Sequence, residues 1–326
     1  MRVLGLASLV LAVGLVASAK AAPLDIKQVP AGATWVVHVD VDAIRASAVV
    51  QKAYAQCVEK HKDAVEKGLA KARQHLGMDP VKDLHGITLY GPKLGEHKGV
   101  MIVWADVDQK VLTEKFDKVP EHKMTPYGKY QVGSVTHKGK MGQHTVAGAF
   151  WKPGATVVAS SVEEVEAALD TLDGKKPALE ARGLLAHPPA GATLVARVTG
   201  IADAKLPCKS PLPKQIESFR LAMGENQGQS FLSVKVTTKT PETAQQIEKI
   251  VEGGKALAGL RHMGDAAASK IIDQFKVSVS DKTVAVEFKA PATDVWDHVQ
   301  KVIKDIKEMH HHQGKKPGGK PVPDKK

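Results

Sequence analysis

Apolar residues recur along this chain in two rhythms. Short runs bounded by glycine, proline and aspartate read as strands: Thr34–Val39, Ile87–Tyr90 and Gly99–Asp106, then three near Tyr130–His137, His144–Trp151 and Thr156–Ser160. Between the first two runs the spacing lengthens. Tyr54, Cys57, His61, Val65, Leu69, Ala72 and Leu76 return every three or four positions, which predicts a helical region from about Val41 to Leu76. Gly77 and Asp79-Pro80 stop it. A shorter helix is expected over Gln109–Phe116. Another is expected from Ser161 to about Leu172, where Ser161 and Glu164 have the spacing of a capping box.

The second part of the chain repeats the pattern with changes. Thr193–Val198 reads as a strand, and Ile216–Met223 with Ser230–Thr238 as a hairpin across Gly224–Gly228. Thr240-Pro241-Glu242 opens a helix, since proline suits a first turn. It runs to about Gly259, and a second helix covers Asp265–Phe275. Lys276–Ser280 and Thr283–Lys289 meet at Asp281-Lys282, and Pro291–Lys307 is a final helix.

The repetition reaches the residues themselves. Pro30–Ala43 returns 159 positions later as Pro189–Ala202, with eight of fourteen residues identical. Self-similarity at a fixed offset indicates duplicated structural units. The expected fold is α+β: two duplicated modules, each a mainly antiparallel sheet with helices packed on one face. The expected layout is a signal peptide over 1–21, modules over 22–176 and 177–308, and a disordered basic tail over 309–326.

The N-terminus fixes the expected compartment. Met1-Arg2, an apolar run from Val3 to Val16, and the small residues Ala17–Ala22 form a secretory signal with a cut after Ala21. The run is too short to span a bilayer comfortably, and no later segment is apolar enough to do so. Export permits a disulfide, yet the only cysteines are Cys57 and Cys208. A bridge between them would tie one module to the other; two free thiols is the other reading. The formal charge is +11. The last eighteen residues hold five lysines against one aspartate, so much of the basic character lies in the tail.

Candidate chemistry is sparse. Two strands end in acidic pairs, Asp40/Asp42 and Asp106/Asp108, whose hard oxygens suit a divalent cation; capping of the helices that follow is the alternative use. His38 and Arg197 occupy equivalent places in the repeat and could line a shared groove for an anionic ligand. Lys315, Lys316, Lys320, Lys325 and Lys326 could meet an anionic polymer or lipid head groups. With 4% aromatic residues there are few platforms for stacking bases, so no specific nucleic-acid partner is expected. His310–His312 would chelate weakly. No Gly-x-Ser-x-Gly elbow, His-Glu-x-x-His, Cys-x-x-Cys or phosphate loop is present. No catalytic residue and no cofactor is expected.

The stretch Val29–Arg45, which places Pro-Ala-x-Ala before an apolar strand and then Asp40, resembles the start of a group of uncharacterised secreted bacterial proteins. That resemblance implies an exported two-module α+β protein and carries no activity. The expected function is therefore an exported, non-catalytic binding or structural protein of the bacterial envelope. The alternatives are an envelope-acting hydrolase, or a polyanion- or surface-binding protein that uses its tail.

Overall fold

A computed structural model describes residues 24–96, 98–139, 142–180, 183–204 and 210–313. The expected signal peptide, Cys208 and the five tail lysines lie outside the described residues. One continuous sheet of twelve strands organises the chain, in the order β11-β12-β10-β9-β8-β1-β2-β3-β7-β6-β5-β4. Every pairing in it is antiparallel.

The first half supplies β1 (Trp35–Asp40), α1 (Val41–Ala46), α2 (Ala48–Leu76), β2 (Leu84–Gly91), β3 (Val100–Ala105) and α3 (Gln109–Phe116). Then come β4 (Lys123–Tyr127), β5 (Tyr130–Gly139), β6 (Gly142–Lys152), β7 (Ala155–Ala159) and α4 (Val162–Leu172). The second half supplies β8 (Ala192–Thr199), β9 (Ile216–Asn226), β10 (Gln229–Thr238), α5 (Pro241–Arg261) and α6 (Ala266–Asp273). It closes with β11 (Lys276–Ser280), β12 (Thr283–Pro291) and α7 (Ala292–Gln313).

The halves meet strand to strand rather than across a cleft. β1 pairs with β8 so that Val36 faces Arg197, Val37 faces Ala196 and His38 faces Val195. Val37 and Ala196 are themselves separated by the offset of the sequence repeat. Outward from this seam, three strands pair in succession on each side. A helix then carries the chain on, and a later strand returns to the third: β7 beside β3, and β12 beside β10.

Helices cover both faces of the sheet. α4 packs on the face that carries Val36, Ile102 and Val157, where its Val165 and Leu169 are fully buried. α5 packs Ala244 and Ile247 over Val236 and Val284, on the opposite face. Strand composition explains why both faces of the continuous sheet are covered. Trp35–Val39 and Val100–Trp104 are apolar on both sides, so each side must be shielded from water. Burying one such large apolar side chain contributes about 1.5–3 kcal/mol.

The long helical region expected over Val41–Leu76 is divided into α1 and α2, and α2 is itself kinked at His61, whose backbone is non-helical (φ −138°, ψ 35°). Ser47 is extended (φ −66°, ψ 124°), closes α1 and caps α2, accepting from the Val50 amide at 3.3 Å. α2 contains no fully buried residue, and the residues of its apolar stripe, Cys57 included, are partly buried or exposed. Cys57 is a free thiol. At the other end α7 runs to Gln313, so residues 309–313 are helical where a disordered tail was expected. No helix among the described residues is long and apolar enough to cross a membrane.

Candidate functional site

The acidic pairs take their places from the ends of β1 and β3. Where β1 gives way to α1, the Asp40 carboxylate accepts from the Ala43 amide at 2.8 Å and caps the helix. Burial raises the Asp40 pKa above the usual carboxylate value, against the lowering effect of that cap. Asp108 does the same work for α3, accepting from the amides of Lys110 at 2.9 Å and Val111 at 3.2 Å. Both therefore serve as helix caps.

Asp42 and Asp106 converge on a residue that no sequence motif marks. Asp42 is buried, with its side chain 4% exposed, and forms an ion pair with Arg45 one turn on. Arg45 also donates to the carbonyl oxygens of Val81, at 2.8 Å, and Leu84. His85, at the start of β2, places Nδ1 3.1 Å from Asp42 Oδ2 and Nε2 3.2 Å from Asp106 Oδ2. Nδ1 hydrogen-bonds Asp42 and ties α1 to β2, while Nε2 makes no hydrogen bond among the described residues, with the Asp106 carboxylate as its charged neighbour.

The arrangement is a clasp and does not fit a cation site. Arg45 already supplies the positive charge beside Asp42, and His85 separates the two carboxylates. No group of three or more His, Cys, Asp or Glu side chains suited to a metal ion occurs among the described residues. Among the described residues no hydroxyl or thiol is hydrogen-bonded to His85, whose Nδ1 meets Asp42. His85 carried no signal beyond its position just before an apolar strand. Arg45 could have been suspected from its three-residue spacing to Asp42.

His38 and Arg197 lie on one face of neighbouring strands, one step apart in the ladder. His38 is 2% exposed, and its Nδ1 is 2.9 Å from Thr88 Oγ1 on β2. The groove expected between the modules is replaced at this point by the β1–β8 hydrogen-bond ladder, so His38 is a buried polar group within a sheet.

An open recess lies elsewhere, on the face opposite α4. It holds about 430 Å³ between α3 and strands β4 to β7. Its floor is stripped of side chains, because Gly133 of β5 and Gly148 of β6 face each other across the ladder. α3 fills only part of the space thus opened. The Phe116 ring lies over Gly133, within 2.8 Å of where a β-carbon would stand, whereas no α3 atom approaches the same point on Gly148 within 4 Å. Leu112, Phe150 and Val158 form walls, and Met124 and Val146, 43% and 59% exposed, form apolar lips. Among the described residues no charged side chain lines the recess. Of its polar residues, Thr113 is committed to the Gln109 carbonyl at 2.8 Å.

No protein-family model matches the chain, and no curated protein matches it. Among solved structures, crystal form I of TP0453 is similar with a TM-score of 0.48 and 8% identity, covering 86% of this chain and 98% of that one. Crystal form III of TP0453 is similar with a TM-score of 0.45 and 10% identity, covering 86% of this chain and 99% of that one.

Proposed function

We propose that this chain is an exported, non-catalytic binding protein whose ligand is apolar and occupies the recess between α3 and the outer strands. The observation that carries this reading is the uncharged recess over Gly148, with its apolar walls and its two exposed apolar lips. Ligand sites are usually pre-formed, mostly apolar concavities of about 300–1,000 Å³ with few polar groups. An exposed apolar patch on a soluble surface marks a contact site. The acidic residues that a catalytic or metal-dependent reading would need are engaged as caps and in the His85 clasp, which supports a scaffold role for them.

We further read the two halves as copies of one module. The identity between Pro30–Ala43 and Pro189–Ala202, the pairing of Val37 with Ala196, and the shared strand and helix order support that reading. Export rests on the N-terminal segment.

The test is binding of a polarity-sensitive fluorescent probe by the mature protein. The expected result is saturable fluorescence enhancement at one site, lost in Val158→Phe and Leu112→Phe, which fill the recess. Equal enhancement in wild type and both filled variants would overturn the assignment.

A further inference from the structure

The shape and chemistry of the recess restrict its ligand beyond being apolar. We infer that it takes a single unbranched hydrocarbon chain, inserted as an uncharged tail with its polar end left at the mouth. This inference rests on the reading of the recess as the binding site.

Three observations carry it. The first is the floor. Gly133, Gly148 and Val158 are successive cross-strand partners on β5, β6 and β7, so the floor narrows to one bare residue, Gly148, between the Phe116 ring and the Val158 side chain. Phe116 closes it at Gly133, and the space continues over Gly148. A slot floored by the backbone of one glycine and walled by Leu112, Phe150 and Val158 suits a slender polymethylene chain.

The second is charge. Burying an ionised group without a partner is costly, and among the described residues no Lys, Arg, His, Asp or Glu lines the recess. The inserted portion must therefore be neutral. Gln131 and Thr156 are the lining residues with amide or hydroxyl groups not otherwise engaged among the described hydrogen bonds, and a neutral or hydrated head could meet them.

The third is the pair of lips. Met124 is an adaptable side chain that conforms to irregular apolar partners, and with Val146 it leaves apolar surface where a chain would enter. Each methylene that the recess takes out of water adds to affinity.

Calorimetric titration of the full mature protein with a homologous series of straight-chain alkan-1-ols, and with naphthalene as a compact ring, tests this. The expected result is affinity rising about fourfold per added methylene until the recess is full, followed by a plateau. Val158→Phe should move the plateau to shorter chains or remove binding, with its circular dichroism spectrum unchanged. Leu112→Phe, on α3 rather than the sheet, gives the same readout should Val158→Phe misfold. Naphthalene bound as tightly as the longest alcohol, with no dependence on chain length, would overturn the chain inference and leave the apolar-binding reading intact. No binding of either class would overturn both.

Discussion

Glu225 Oε2, near the end of β9, accepts a hydrogen bond from Ser47 Oγ at 2.8 Å. The same carboxylate accepts from the amides of Ala48 at 3.0 Å and Val49 at 3.3 Å. A side chain of the second half thus caps the longest helix of the first. The first-turn amides of a helix lack intrahelical partners, and a carboxylate there also meets the positive end of the helix dipole. Glu225→Ala is expected to lower unfolding stability by about 1–3 kcal/mol. Glu225→Gln, which keeps the acceptor and loses the charge, should cost less. Urea denaturation followed by circular dichroism checks both. No difference between Glu225→Ala and wild type would mean that α2 is held by other contacts.

The His85 clasp should respond unevenly to its two carboxylates. Asp42 is 4% exposed and paired with Arg45, so Asp42→Ala leaves a buried cation without its partner and should cost about 3–5 kcal/mol. Asp106 is 70% exposed, and Asp106→Ala should cost under about 1 kcal/mol. Equal losses from the two variants would contradict the burial that separates them.

Two aspartates should act in opposite directions on the pH dependence of stability. Burial raises the Asp40 pKa in the folded state. Its contribution is present in full below the unfolded value of about 3.9 and is lost as pH rises through the raised folded value. Asp40→Asn, which keeps a capping side chain, should therefore gain on wild type as pH rises from 4 toward neutral. Asp170 is held low by the Tyr127 hydroxyl, with Lys176 and Lys175 also lowering it. Its contribution is present above the unfolded value and fades as pH falls through the lowered one, so Asp170→Asn should lose on wild type above about pH 4. Melting curves of the three proteins from pH 3 to pH 8 read both signs. Parallel curves for wild type and both variants would contradict them.

Filling the recess should not harm the fold. Val158 lies beside Gly148 on the next strand and borders empty space, so Val158→Phe adds contacts where none are displaced. Cavity-filling changes commonly contribute about 0.5–2 kcal/mol. The melting temperature of ligand-free Val158→Phe is expected to equal or exceed that of wild type. A large drop would mean that the space over Gly148 closes in solution.

Local signals and the structure agree where one short segment decides the outcome. Gln109–Phe116 is a helix over the predicted span, and Ser161 caps α4 through the Glu164 amide at 3.2 Å. The hairpin β9–β10 turns at Gln227-Gly228, both at positive φ, inside the predicted turn. Contacts distant in sequence were not legible. The break at Ser47 has no glycine or proline beside it; its partner, Glu225, is 178 residues away. β4 contains Pro126, which argues against a strand by composition, yet at the sheet edge a missing amide donor is tolerated. His85 gains its meaning only when α1 and β3 bring Asp42 and Asp106 to its two nitrogens. The recess is a property of what α3 fails to cover, and no periodicity records an unfilled space.

The most direct test of the central claim is native mass spectrometry of the protein, purified from its own host without detergent, beside Val158→Phe prepared the same way. The expected result is a stoichiometric extra mass on wild type that is extractable into organic solvent and absent from Val158→Phe. A bare wild-type mass, or the same adduct on both proteins, would contradict an apolar ligand held between α3 and the sheet.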